Sequence, residues 1–188
     1  MSEPTGISIE DIRYDDEAAI QQVATMLTEG FREHWWDAWP THEEAVQEVR
    51  ESFEEGRISR IARDADGTVL GWIGGYNTYA EVWELHPLVV RVDQQRRGVG
   101  RLLVADLEEH VRQRGGLTLM LGSDDQDDMT SLSGVDLYTN LWQHIANIQN
   151  FKGHPYEFYQ KLGYTIIGAV PDANGPGKPD ILMAKRMA

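Results

Sequence analysis

The sequence predicts a single mixed α/β domain, on three observations. Short runs of alternating apolar residues, as in half-buried strands, occur early and late in the chain. Other stretches repeat apolar residues at helical spacing. The segment "WELHPLVVRVDQQRRGVGRLL", residues 83–103, passes from a strand through an arginine-rich turn into a helix. A chain of 188 residues is long enough for one substantial core and short for two. No Pro/Ser-rich linker divides it, so one domain, 1–188, is expected.

"ISIEDIR" (7–13) alternates and is expected as a strand. "DDEAAIQQVATMLTEG" sets Ile20, Val23 and Leu27 at helical spacing, with acids at its start and Gly30 at its end. Thr41 and Glu44 have capping-box spacing, and Val46, Val49 and Phe53 form a stripe, which predicts a helix over 41–55. "RISRIARD" and "TVLGWIGGY" around "ADG" read as a hairpin, followed by the strand "AEVWELHPLVV". From Gly98, Val99, Leu103, Leu107 and Val111 recur every four residues until Gly115-Gly116, and "LTLMLG" completes a βαβ unit. Leu137, Leu141, Ile145 and Ile148 predict a further helix opened by Ser133 and Asp136. Pro155 suits the first turn of a helix ending at Gly163, and strands at 164–170 and "DILMAKR" close the chain.

Composition narrows the chemistry. Thirty-one acidic against seventeen basic residues give a net charge of −14, which disfavours nucleic acid and anionic membranes and favours cationic ligands. No basic leader precedes an apolar run, and no eighteen apolar residues stand together, so a soluble cytoplasmic protein is expected. The absence of cysteine excludes disulfides, thiolate metal sites and an acyl-cysteine relay. Six scattered histidines lack a ligand spacing, and no metal is expected.

Within this acidic chain Arg91, Arg96, Arg97 and Arg101 crowd into eleven residues. A helix N-terminus presents unpaired N–H groups and partial positive charge, and Gly98 and Gly100 let a pyrophosphate approach closely. An ordinary helix start with a solvated basic face reads equally well from spacing alone. Neither a GK[ST] loop nor three dinucleotide-binding glycines occur.

Gln95-Arg96-Arg97-Gly98-Val99-Gly100 resembles the Q/R-x-x-G-x-G/A motif of the GNAT acyltransferases, and the order of elements resembles theirs. "WELHPLVV", "RGGLTLMLGSDDQD", "HPYEFYQKLGY" and "PDANGPGKPDILMAK" are similar to the aminoglycoside 6′-N-acetyltransferases, over roughly residues 83–188. The resemblance implies a mixed central sheet with helices on both faces, acetyl-CoA as cosubstrate at Gln95, Arg96, Arg97, Gly98, Val99, Gly100 and Arg101, and a homodimer. It implies a role for Glu84 as base toward the acceptor amine, with His86 orienting the site and Tyr159 near the CoA sulfur.

The residues themselves bear on these roles. Alternation along 82–90 puts Trp83, Leu85 and Val89 on one face and Val82, Glu84, His86 and Leu88 on the other. Backbone N–H groups of Leu88, Val89 and Val90 are expected to polarise a thioester carbonyl. Pro87 is expected to disturb strand pairing. With no cysteine relay, transfer is expected to be direct, in a ternary complex. Tyr159 reads either as the proton donor to the departing thiolate or as packing beside Phe158 and Leu162.

A polycationic acceptor calls for carboxylates and aromatic faces. "REHWWDAWP" supplies Glu33, Trp35, Trp36, Asp37 and Trp39, "GSDDQDD" supplies Asp124, Asp125, Asp127 and Asp128, and Asp136 follows. Trp35, Trp36, Asp37, Glu84, Asp124, Asp125 and Asp136 are the expected acceptor contacts. Acetylation of a protein, peptide or polyamine, or CoA binding without chemistry, remain open, although Glu84, His86 and Tyr159 together argue against the last.

Overall fold

The structure is a computed structural model that describes residues 6–187. The chain divides into two compact units, one running to Leu119 and taking in Met187, the other Met120–Arg186.

The first unit contains β1 (Ser8–Asp11), α1 (Glu17–Phe31), α2 (His42–Glu51), β2 (Ile58–Arg63), β3 (Val69–Tyr79), β4 (Val82–Val90) and α3 (Val99–Gln113). Its four strands lie in sequence order, each antiparallel to the next. Local chemistry starts the helices. The Asp16 side chain accepts the Ala19 N–H at 3.0 Å to open α1. Thr41 and Glu44 form a full capping box on α2, an N-cap arrangement worth about 1 kcal/mol.

α1 buries Ile20, Val23 and Leu27, and α2 buries Ala45 and Val49, in one core with Ile61, Trp72 and Val89. α3 covers the opposite face of the sheet. A Cβ on Gly71 would stand 2.9 Å from Leu103 Cδ1, and one on Gly75 2.8 Å from Leu107 Cδ1, so these glycines let α3 lie against β3.

One feature of β4 overturns the alternation expected for it. Ile73 pairs with Leu88, but Gly75 pairs with Leu85, so His86-Pro87 stands as a bulge opposite Gly74. A one-residue insertion exchanges the faces of everything beyond it. Leu85 shares the α3 face with Gly75, and Glu84 lies opposite Tyr76 on the α1/α2 face. Past the bulge Val89 pairs with Trp72 and joins the α1/α2 core, whereas Leu88 moves to the face of Trp83 and Leu85. Pro87 thus lies at the disturbance in pairing that it was expected to produce.

The second unit holds most of β5 (Thr118–Asp124), then α4 (Leu141–Ala146), α5 (Tyr156–Lys161), β6 (Thr165–Val170) and β7 (Asp180–Arg186). Its strands run β5-β7-β6, with β6 and β7 antiparallel. The helix expected from Ser133 to Ile148 is confined to Leu141–Ala146. Gly134 (φ 72°) and Asn140 (φ 58°) are left-handed, and the Asp136 carboxylate binds the Tyr138 N–H and the Thr139 hydroxyl instead of capping a helix. α5 begins after Pro155 as expected, its φ of −62° being helical. Among the described residues no helix is long and apolar enough to cross a membrane.

Candidate active site

Glu84 and His86 share the α1/α2 face of β4, and the fold surrounds them with residues from three other segments. Tyr76, on β3, pairs directly with Glu84. Burial pushes its phenol upward, and the charge and hydrogen bonding of Glu84 push it further, against the pull of Arg57. The Arg57 guanidinium stands 5.3 Å from the centre of the Tyr76 ring. The ring of His86 lies 6.4 Å from that of Tyr76 and 6.2 Å from that of Trp39. Its Nε2 is 3.8 Å from Oε1 of Glu48, on α2. Tyr76 and Glu48 escaped the sequence reading. Tyr76 lies on the strand just before β4 and Glu48 far earlier in the chain, each in a segment whose pattern speaks only of strand or helix, and only the pairing of β3 with β4 and the packing of α2 bring them in.

Of the tryptophans before α2, Trp39 is the one beside His86, and its indole N–H donates to Glu48 Oε2 at 3.3 Å. Trp35 is half-buried, its ring 5.6 Å from those of Phe31 and His34. Trp36 and Asp37 are exposed.

Beyond β4 the chain makes a short 3-10 turn at Val92–Gln94 and enters α3. Gly98 is the N-cap of α3 at φ 93°, a left-handed conformation that glycine adopts without strain, and no side chain caps the helix there. The first helical bond runs from the Leu102 N–H to the Gly98 carbonyl, so the N–H groups of Val99, Gly100 and Arg101 precede the helical ladder. Arg96, Arg97 and Arg101 are exposed around this end, as is Gln95. Arg91 differs from its neighbours, because Asp93 accepts two hydrogen bonds from its guanidinium at 2.6 and 3.0 Å. The Arg91 N–H donates to the Leu70 carbonyl. Strand alternation therefore turns the Val89 N–H toward β3 and those of Leu88 and Val90 away from it. Of the three amides expected to meet a thioester, these two point to the other side.

In the second unit, Asp125 is fully buried and its oxygens accept the Met129 and Thr130 N–H groups at 2.6 and 2.9 Å and the Thr130 hydroxyl at 2.7 Å. A carboxylate so enclosed shapes its loop, which corrects the expectation that it meets a ligand. Asp127 pairs with Lys152 and Asp128 with Lys178, so this acidic run is partly neutralised from within. Asp124 is half-buried and accepts from the Asn174 amide, and Asp136 is exposed. Tyr159, on α5, is buried with its ring edge-on to Phe158 and Tyr164, and burial holds its phenol far above its ordinary range. No cluster of three or more potential metal ligands occurs among the described residues.

A strand bearing a carboxylate and an imidazole, running into a glycine-capped helix start ringed by arginines, is the framework of a group-transfer enzyme. The chain belongs to the GNAT acetyltransferase family, whose model matches residues 22–133. Among solved structures, an aminoglycoside 6′-N-acetyltransferase complexed with coenzyme A is 40% identical, with a TM-score of 0.87 over 96% of this chain and 97% of that one. The aminoglycoside 6′-N-acetyltransferase from Enterococcus faecium is also 40% identical, with a TM-score of 0.84 over the same shares. An aminoglycoside 6′-acetyltransferase of type Ii is 34% identical, with a TM-score of 0.71, again over 96% and 97%. No curated protein matches the chain.

Proposed function

We propose that this acetyltransferase moves the acetyl group of acetyl-CoA to the 6′-amine of aminoglycoside antibiotics and so confers resistance to them. The observation that carries the reading is the 40% identity to two 6′-N-acetyltransferases across 96% of the chain. The α3 end fits acetyl-CoA: Gly98 leaves the backbone open, three N–H groups precede the helical ladder, and Arg96, Arg97 and Arg101 stand free to meet phosphates. When bound, acetyl-CoA supplies an activated thioester acetyl group.

Glu84 holds the acceptor ammonium and takes one proton from it, which frees the lone pair that bonds to the acetyl carbon, and a second proton leaves the nitrogen for solvent as the amide forms. His86, beside it, orients that amine. The Leu88 and Val90 N–H groups steady the charge that develops on the carbonyl oxygen. Tyr159, a neutral phenol near neutrality like any tyrosine, gives its proton to the departing sulfur. Trp35, Trp36, Asp37, Asp124 and Asp136 are the proposed acceptor contacts, while Asp125 acts through the shape of its loop. We further propose a single cytoplasmic domain that works as a homodimer.

The test is acetyl-CoA turnover with kanamycin, a 6′-hydroxy aminoglycoside, spermidine and a peptide. Kanamycin alone is expected to be a good substrate. Preference for spermidine or the peptide would assign another acceptor, and CoA binding without turnover of any would indicate a non-catalytic module.

A further inference from the structure

Glu48 is placed unlike the acids at the start of α2. Glu43 and Glu44 are exposed near the helix start, whereas the Glu48 side chain retains only 19% exposure. Enclosing a carboxylate is costly unless something answers its charge. One oxygen accepts the Trp39 indole N–H at 3.3 Å, and the other faces His86 Nε2 at 3.8 Å. That distance is too long for a direct hydrogen bond but short enough for charge attraction or one bridging water. The Glu48 charge also reaches Tyr76, the partner of Glu84 across the strands. His86 itself is 47% exposed, with aromatic rings of Trp39 and Tyr76 near it and Glu48 facing its Nε2.

We propose that Glu48 is a positioning residue for acetyl transfer: through Nε2 of His86 it fixes the imidazole beside Glu84 and thereby the place where the acceptor amine is held. The proposal rests on the acetyltransferase reading above. It differs from a purely structural role, in which Glu48 would only tie α2 to Trp39.

Glu48→Gln separates the two, because the amide oxygen still accepts from Trp39 and the volume is kept while the charge is lost. In kanamycin acetylation kcat falls on the order of tenfold, the size expected when a partner that orients a functional imidazole is removed, while the KM for acetyl-CoA and the melting temperature hold. In a His86→Ala background the same substitution costs nothing further, since its effect runs through the imidazole. Wild-type kcat in Glu48→Gln, or an undiminished loss in the His86→Ala background, overturns the proposal. Side-chain 15N NMR of His86 tests it without turnover. The ring signals shift in Glu48→Gln, and unchanged signals overturn the proposal whichever acceptor the enzyme takes. Failure of the wild-type chain to acetylate kanamycin would instead contradict the acceptor reading alone.

Discussion

Gly74→Ala perturbs the strand that carries Glu84 and His86 at the point where it bends. The added Cβ would press on the His86 carbonyl oxygen, with the His86 carbonyl carbon at 3.2 Å and Pro87 Cδ at 3.5 Å. Backbone cannot swing aside as a side-chain tip can, so the bulge itself must shift. Overpacking of this kind costs about 1–3 kcal/mol. A displacement of about 1 Å in reacting groups costs on the order of 100-fold in rate. A loss of about 1–3 kcal/mol in stability and of roughly 10- to 100-fold in kcat is therefore expected. Gly75→Ala is the control. Its Cβ would meet Leu107 Cδ1 at 2.8 Å, the end of a flexible side chain, and the Glu84 carbonyl oxygen at 3.4 Å, an ordinary contact, all on the α3 face and so opposite the Glu84 side chain. It should lower the melting temperature and leave kcat close to wild type. Thermal melts and steady-state kinetics on both variants decide the matter. A folded Gly74→Ala with wild-type kcat, or equal kinetic losses in the two, would refute the link between bulge and site.

Three further outcomes are expected. Gly98→Val forces a β-branched residue into φ 93° at the start of α3, so calorimetry should show CoA affinity reduced by about tenfold or more with the fold intact. Tyr159→Phe keeps the ring packing and loses the proton donor, and single-turnover rates should fall while the melting temperature stays near wild type. The third concerns His154, whose Nδ1 accepts the Tyr156 N–H while Nε2 donates to the Asp124 carbonyl, an arrangement that suits the neutral ring. Burial pushes its pKa below the ordinary 6.5 despite Asp125, so the folded chain binds that proton less readily than the unfolded one. Stability from this group is full above about 6.5 and declines as pH falls through and below it, and melts between pH 7.5 and 5 should show a slope that His154→Gln reduces.

Features encoded within one stretch of chain could be read from sequence. The turn at 95–101 needs only glycines and arginines between a strand and an amphipathic helix, and the Thr41/Glu44 cap needs only its spacing. Features that depend on pairing could not. Alternation misplaced Leu88 and Val89 because the bulge at His86-Pro87 exists only in the register with Gly74. Apolar spacing overextended the helix near Leu141, since it does not register the left-handed Gly134 and Asn140 or the turn held by Asp136. The arginine cluster counted Arg91 as available, whereas Asp93 two residues on occupies it. Asp125 looked like any acid in a polar loop until its burial and its hydrogen bonds to residues 129 and 130 were seen.

The central claim, transfer of acetyl from acetyl-CoA to one particular amine held by a base on β4, is tested most directly by the structure of the product. Kanamycin incubated with the wild-type enzyme and acetyl-CoA should yield a monoacetylated product, and NMR should place the new amide on the 6′-nitrogen. An analogue with a hydroxyl there offers no amine at the reacting position and should turn over poorly. Acetylation at another ring nitrogen, or equal rates for the two drugs, would contradict the account while leaving the acetyltransferase fold in place.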